Sequence, residues 1–197
     1  MDEARFYPIV LGYLEAKGYL TQGFQRNGKD TFDFERLGRR AQADVIGIKD
    51  VGKDYSNEIE IVAVEVKDRK RAKVRYMTQA LGYSTFAHRC YLAMPMKFTE
   101  EDKDYARKIG VGLLRIVKGR VEEVLPAELK TPNESMMIWF LRRSPWIVKC
   151  MLCGCWMHRF KQKLYSYTVE NAFGNEKTLY ICPQCQKLFR LAKPKSR

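Results

Sequence analysis

The segment EIEIVAVEVKD, residues 58–68, constrains the fold more than any other stretch of the chain. Its apolar run, Val62, Ala63, Val64 and Val66, is too continuous for a half-exposed strand and predicts a β-strand covered on both faces. Glu65 and Lys67 interrupt that run. Side chains in a strand alternate with a period of two, so both charges point to one face. Buried charge is costly unless it is paired or used. The two residues are either an ion pair at a sheet edge or the working face of a site.

The surrounding pattern predicts what covers the strand. Residues 4–17 carry Phe6, Ile9, Val10, Tyr13 and Leu14 at helical spacing, closed by Gly18. The glycine-bearing polar stretch 18–40 reads as irregular or partly extended. Residues 41–50 read as a strand, and the turn-rich DVGKDYSN between it and 58–68 suggests a hairpin. A helix is expected over 74–88 with Tyr76, Ala80, Tyr83 and Ala87 aligned, then a short buried strand at 90–95. A helix over 100–109 ends at Gly110, a strand follows at 112–117, and Lys118-Gly119 turns the chain back. The order predicts an α/β domain with a mixed sheet over residues 1–125. A helix starting near Asn133 and stopped by Ser144-Pro145 makes 126–145 a connection, with a separate module at 146–197.

Asp44 opens the first strand of the expected hairpin, which would bring it near Glu65. Two carboxylates at the ends of adjacent strands, with the Val66 carbonyl between the charged side chains, are hard oxygen donors suited to Mg²⁺ or Mn²⁺. Lys67, on the face of Glu65, could orient or help deprotonate a water and balance charge on a phosphate. Together these are the groups that phosphodiester hydrolysis needs.

Asp44 followed by Glu65-Val66-Lys67 in an apolar strand resembles the D…E-x-K signature of the PD-(D/E)XK nuclease superfamily. The expected element order is similar to that superfamily's αβββαβ restriction-endonuclease-like core. Gln79-Ala80-Leu81-Gly82-Tyr83 is similar to the Q-x-x-x-Y motif of its exonuclease-like branch. The resemblance covers residues 3–117. It implies that Asp44, Glu65 and the Val66 carbonyl hold the catalytic metal, that Lys67 assists the water, that Gln79 helps position the site and that Tyr83 faces the nucleic acid. Ala43 stands where the proline that names the family would be, as in many members. Some members add a glutamate from the first helix; Glu3 and Glu15 are the candidates, and that role stays open. Duplex-cutting members often pair, which leaves a homodimer open here.

Charge points to the same class of partner. The 197-residue chain carries a net +13, and from Trp146 onward it holds 10 basic residues against 2 acidic ones. Such a balance suits a polyanion, and the expected partner is nucleic acid, DNA before RNA. Arg69, Lys70, Arg71, Lys73 and Arg75 follow the strand directly and are the expected phosphate-tracking residues. No apolar run approaches the roughly 20 residues that span a bilayer. The opening residues, MDEARFYPIV, do not read as a secretory signal, so a soluble, cytoplasmic protein is expected, nucleoid association not excluded.

Five of the six cysteines fall between Cys150 and Cys185. Cys150-x-x-Cys153 and Cys182-x-x-Cys185 are two knuckles separated by alternating apolar residues. Paired C-x-x-C motifs in an intracellular chain point to metal rather than disulfides, here a tetrahedral S₄ site for Zn²⁺. Cys155 and His158 are spare ligands. The pattern resembles a zinc ribbon, a knuckle, hairpin and second knuckle whose metal would supply most of its folding free energy. C-x-x-C-G with C-P-x-C is also similar to rubredoxin knuckles, which bind iron. Two rivals to the nuclease reading therefore stand: a non-catalytic nucleic-acid-binding platform and an electron-transfer module.

Overall fold

A computed structural model describes residues 3–23, 43–52, 59–68, 73–142, 144, 146–159, 164–170 and 176–191. Contacts divide the chain into two units, Met1–Lys49 with Ile59–Arg143, and Asp50–Glu58 with Ser144–Arg197.

In the first unit a 3-10 turn, Glu3–Phe6, runs into α1 (Tyr7–Ala16). Gly18, at φ 84°, then turns the chain into β1 (Leu20–Gly23) through a left-handed conformation that favours glycine. There follow β2 (Val45–Asp50), β3 (Ile59–Val66), α2 (Lys73–Gly82), a 3-10 turn at Tyr83–Thr85, β4 (Arg89–Met94) and α3 (Glu100–Ile109). Strands β5 (Gly112–Val117) and β6 (Arg120–Leu125) and helix α4 (Glu134–Arg142) complete the unit. The six strands form one sheet in the order β1-β2-β3-β4-β5-β6. β3, β4 and β5 are parallel, while β1 with β2 and β5 with β6 are antiparallel. This is the expected mixed sheet in an α/β unit.

β3 is interior, between β2 and β4, and seven of its eight residues are buried. Its alternation explains how. Val62, Val64 and Val66 pack with Tyr7, Val10 and Leu14 of α1 on one face. On the other face Leu92, Met94 and Leu113 pack with Met77 and Ala80 of α2 and Ala106 of α3. A strand covered twice tolerates no half-polar pattern, so the continuous apolar run is a consequence of these two layers. Helix α3 ends at Gly110, φ 70°, as expected from the sequence, and starts with a capping box at Thr99 and Asp102. The helix expected over 74–88 is shorter: α2 stops at Gly82, and the tighter turn that follows buries Tyr83 completely. Phe140 of α4 stacks on Phe86 at 4.8 Å between ring centroids.

The second unit contains two small antiparallel hairpins. β7 (Ile147–Lys149) pairs with β8 (Trp156–His158), and β9 (Tyr165–Glu170) pairs with β10 (Glu176–Ile181). Helix α5 (Pro183–Leu191) follows. The β9–β10 hairpin lies where alternation placed it; the β7–β8 hairpin and α5 were not foreseen. Pro183 opens α5, where its missing N–H costs nothing. Cys150, Met157, Ile181 and Cys182 form the small core. Among the described residues no helix is long and apolar enough to cross a membrane.

Candidate active site and metal centre

Asp44 immediately precedes β2, and its amide donates to the Val64 carbonyl at 3.1 Å, which ties it to β3. Its Oδ2 accepts from the Val66 amide at 2.8 Å and its Oδ1 from the Tyr7 hydroxyl at 2.7 Å. Glu65 points to the opposite face from Val64 and Val66, toward the turn after α2. There the Tyr83 hydroxyl donates to its Oε2, and Gln79 Nε2 lies 3.5 Å from the same hydroxyl. Because β3 is interior, Glu65 and Lys67 are not an edge-strand pair.

Lys67 gathers these groups. Its ammonium lies 2.5 Å from Glu65 Oε1, 3.0 Å from the Val66 carbonyl, 3.2 Å from Glu3 Oε2 and 3.5 Å from Asp44 Oδ2. Three carboxylates thus share one cation, and the Glu65 side chain is only 1% exposed. Excess negative charge in a poorly solvated place makes a buried group set within it hold its proton more tightly. Burial and then the Asp44 charge push Glu65 up from the ordinary 4.5 to about 7, against the opposing pull of Lys67 and Tyr83. Burial works against the Lys67 charge, yet the Asp44 and Glu65 carboxylates outweigh it and hold Lys67 above the usual lysine value. Tyr7 and Tyr83 are both raised, first by burial and then by the carboxylate each one faces.

Asp44, Glu65, Val66, Lys67, Gln79 and Tyr83 are therefore brought together. Tyr83 is 0% exposed, so it buttresses Glu65 rather than facing a nucleic acid. Of the two open glutamates, Glu3 reaches the site, whereas Glu15 accepts a bond from the Thr21 hydroxyl. Of the basic run, Arg69, Lys70 and Arg71 lie outside the described residues. Lys73 pairs with Asp102 and donates to the Lys97 carbonyl at 3.1 Å, and Arg75 is exposed at the surface of α2. Sequence reasoning missed Tyr7. Its only signal was a polar aromatic on the first helix, one turn after Glu3.

The cysteine knuckles form a second centre. The sulfurs of Cys150, Cys153, Cys182 and Cys185 lie within 4.8 Å of one another, a set that could hold a metal ion such as zinc. Among the described residues it is the one group of three or more His, Cys, Asp or Glu side chains whose ligand atoms lie this close to one another; the carboxylates of the first unit gather around the Lys67 ammonium instead. All six cysteines are free thiols. The Cys182 amide donates to Cys150 Sγ at 3.4 Å and the Cys185 amide to Cys182 Sγ at 3.3 Å. Burial opposes ionisation of Cys150, but backbone N–H donors from Cys153, Cys182 and Leu152 prevail and bring its thiol down to about 6. Cys155 lies outside the set of four, and its carbonyl accepts from the Cys150 amide at 2.9 Å. His158 is buried beside Trp146, with ring centroids 5.4 Å apart.

No protein-family model matches the chain, and no curated protein matches it. A solved structure of a protein of unknown function from Silicibacter pomeroyi is similar, with a TM-score of 0.49 and 19% identity over 73% of this chain and 84% of that one.

Proposed function

We propose that the protein is a divalent-metal-dependent nuclease of the PD-(D/E)XK type, with a restriction-endonuclease-like first unit and a C-terminal zinc ribbon. One observation carries the reading: three carboxylates and a backbone carbonyl converge on a single ammonium and leave it outnumbered. The donor set suits a hard divalent cation, because it is all oxygen and its surplus negative charge is what such an ion neutralises. Mg²⁺ or Mn²⁺ held by Asp44, Glu65 and the Val66 carbonyl would polarise a phosphate and make bound water acidic.

The chain's own residues do the rest. Tyr83, backed by Gln79, fixes the plane of the Glu65 carboxylate. Lys67, once its carboxylate partners are shared, turns its protons toward the phosphate oxygens and offsets the charge that develops there. Glu3, 3.2 Å from the Lys67 ammonium, is an additional acceptor. Burial of Glu65 excludes bulk water and keeps these electrostatic effects strong. The +13 chain supplies attraction for a polyanion, DNA first, and the role is one of repair, recombination or defence. The four-thiolate set takes structural Zn²⁺, and the exposed basic residues of that unit, Arg159 and Lys187 among them, add contacts to phosphate.

The test is incubation of labelled single-stranded, duplex and branched DNA and matched RNA with Mg²⁺, Mn²⁺ or EDTA, beside Glu65→Ala. Cleavage that requires metal and is lost in the variant is expected. Equal, metal-independent binding by both proteins without cleavage would leave only a binding platform.

A further inference from the structure

We infer that Tyr7 is a positioning residue that sets the orientation of Asp44 for cation binding. The inference rests on the metal-site reading above. A carboxylate held by one hydrogen bond still rotates about its last torsion. Asp44 Oδ2 has the Val66 amide at 2.8 Å, and that bond alone leaves Oδ1 free to swing. The Val66 amide and the Lys67 ammonium both bind Oδ2; the Tyr7 hydroxyl, 2.7 Å from Oδ1, supplies the bond to the other oxygen and fixes the plane.

The choice of donor matters. A lysine or arginine at this place would cancel the charge that draws a cation. A phenol hydroxyl holds the carboxylate and leaves its charge intact; Oδ1 keeps its second lone pair, while that of Oδ2 faces the Lys67 ammonium, the group a cation would displace. Tyr7 is itself held firmly: it is 7% exposed and packs with Val10, Leu14, Val64 and Val66. Tyr83 does the same for Glu65 from the other face of the sheet. The two carboxylates are thus each steadied by a buried tyrosine, one on α1 and one after α2. Residues of this kind tune metal affinity without touching the ion, and their loss weakens binding by about 10–100-fold.

The experiment is calorimetric titration of Mn²⁺ into the full chain, first equilibrated with zinc, for wild type, Tyr7→Phe, Val10→Ala and Asp44→Ala. Phenylalanine keeps the ring and its packing and removes only the hydroxyl. Val10→Ala opens a cavity one turn along the same helix and touches no carboxylate. Tyr7→Phe is expected to bind Mn²⁺ about tenfold more weakly or worse with unchanged stoichiometry. Val10→Ala is expected to melt at lower temperature yet keep the wild-type affinity. Wild-type affinity in Tyr7→Phe, or a loss no larger than that in Val10→Ala, would overturn the inference. Absence of Mn²⁺ binding in wild type, or its persistence in Asp44→Ala, would bring down the metal-site reading itself and the role of Tyr7 with it.

Discussion

Lys67 holds together three carboxylates that would otherwise repel one another, and it competes with any metal for the same oxygens. Replacing it with an uncharged side chain of similar length separates its two roles. Lys67→Met is expected to bind Mn²⁺ more tightly, by about tenfold for each ~1.4 kcal/mol of competition removed. On the proposed nuclease reading, the same variant should cleave about 100-fold more slowly or worse, as loss of a charge-stabilising donor does. Titration calorimetry and single-turnover cleavage read the two effects independently. Glu65 carries the pH dependence. Its proton is held to about 7 in the folded chain against an ordinary 4.5. The folded state therefore binds this proton more tightly than the unfolded state does. Its contribution to stability is fully present below about 4.5 and is lost as pH rises through about 7. Urea unfolding of the metal-free protein should show wild type losing stability relative to Glu65→Gln between pH 4.5 and 7, and a flat difference would refute the assignment.

At β5 the packing is tightest where the side chain is smallest. A Cβ at Gly112 would lie 2.3 Å from Tyr91 Cε1 and 2.6 Å from the Ala127 amide nitrogen. Gly112→Ala is expected to destabilise the first unit by about 1–3 kcal/mol, measured by denaturant midpoint, because neither a packed ring nor a backbone can yield cheaply. This close approach was not legible in the sequence, whereas β5 itself was, residue for residue, from its apolar run and flanking glycines. The same division holds elsewhere. Local chemistry announced α3 through its terminal glycine, and the β5–β6 hairpin through Lys118-Gly119, with φ of 48° and 76°. Contacts between distant segments were not announced. The Tyr7 bond to Asp44 spans 37 positions and the Glu3 bond to Lys67 spans 64, so no window of sequence contains both partners. Asp44, Glu65 and Lys67 could be read because one strand pair carries them all. The break of α2 at Gly82 was missed because Tyr83 is drawn into the site, an effect that helical periodicity does not register.

The molecule divides its stability between two different sources. The first unit is layered on both faces of a six-stranded sheet and, among the described residues, packs apolar clusters against each face. The second has one small cluster of buried residues, two of them cysteines of the four-sulfur set. Such a core is too small to fold a module unaided. A metal held by the four cysteines would make up that deficit, and its chelation is expected to abolish the β9–β10 hairpin while the sheet of the first unit persists, which amide hydrogen exchange resolves segment by segment. Cys182→Ser should reproduce the effect of the chelator. Uniform loss of protection across both units would contradict this division. The central claim is that the carboxylates around Lys67 form a divalent cation site, and anomalous diffraction from crystals soaked in Mn²⁺ tests it most directly. A manganese peak beside Asp44 and Glu65, with the Lys67 ammonium moved away from those oxygens, is the predicted result. Manganese absent from that pocket at saturating concentration, with Lys67 still seated among the three carboxylates, would contradict it.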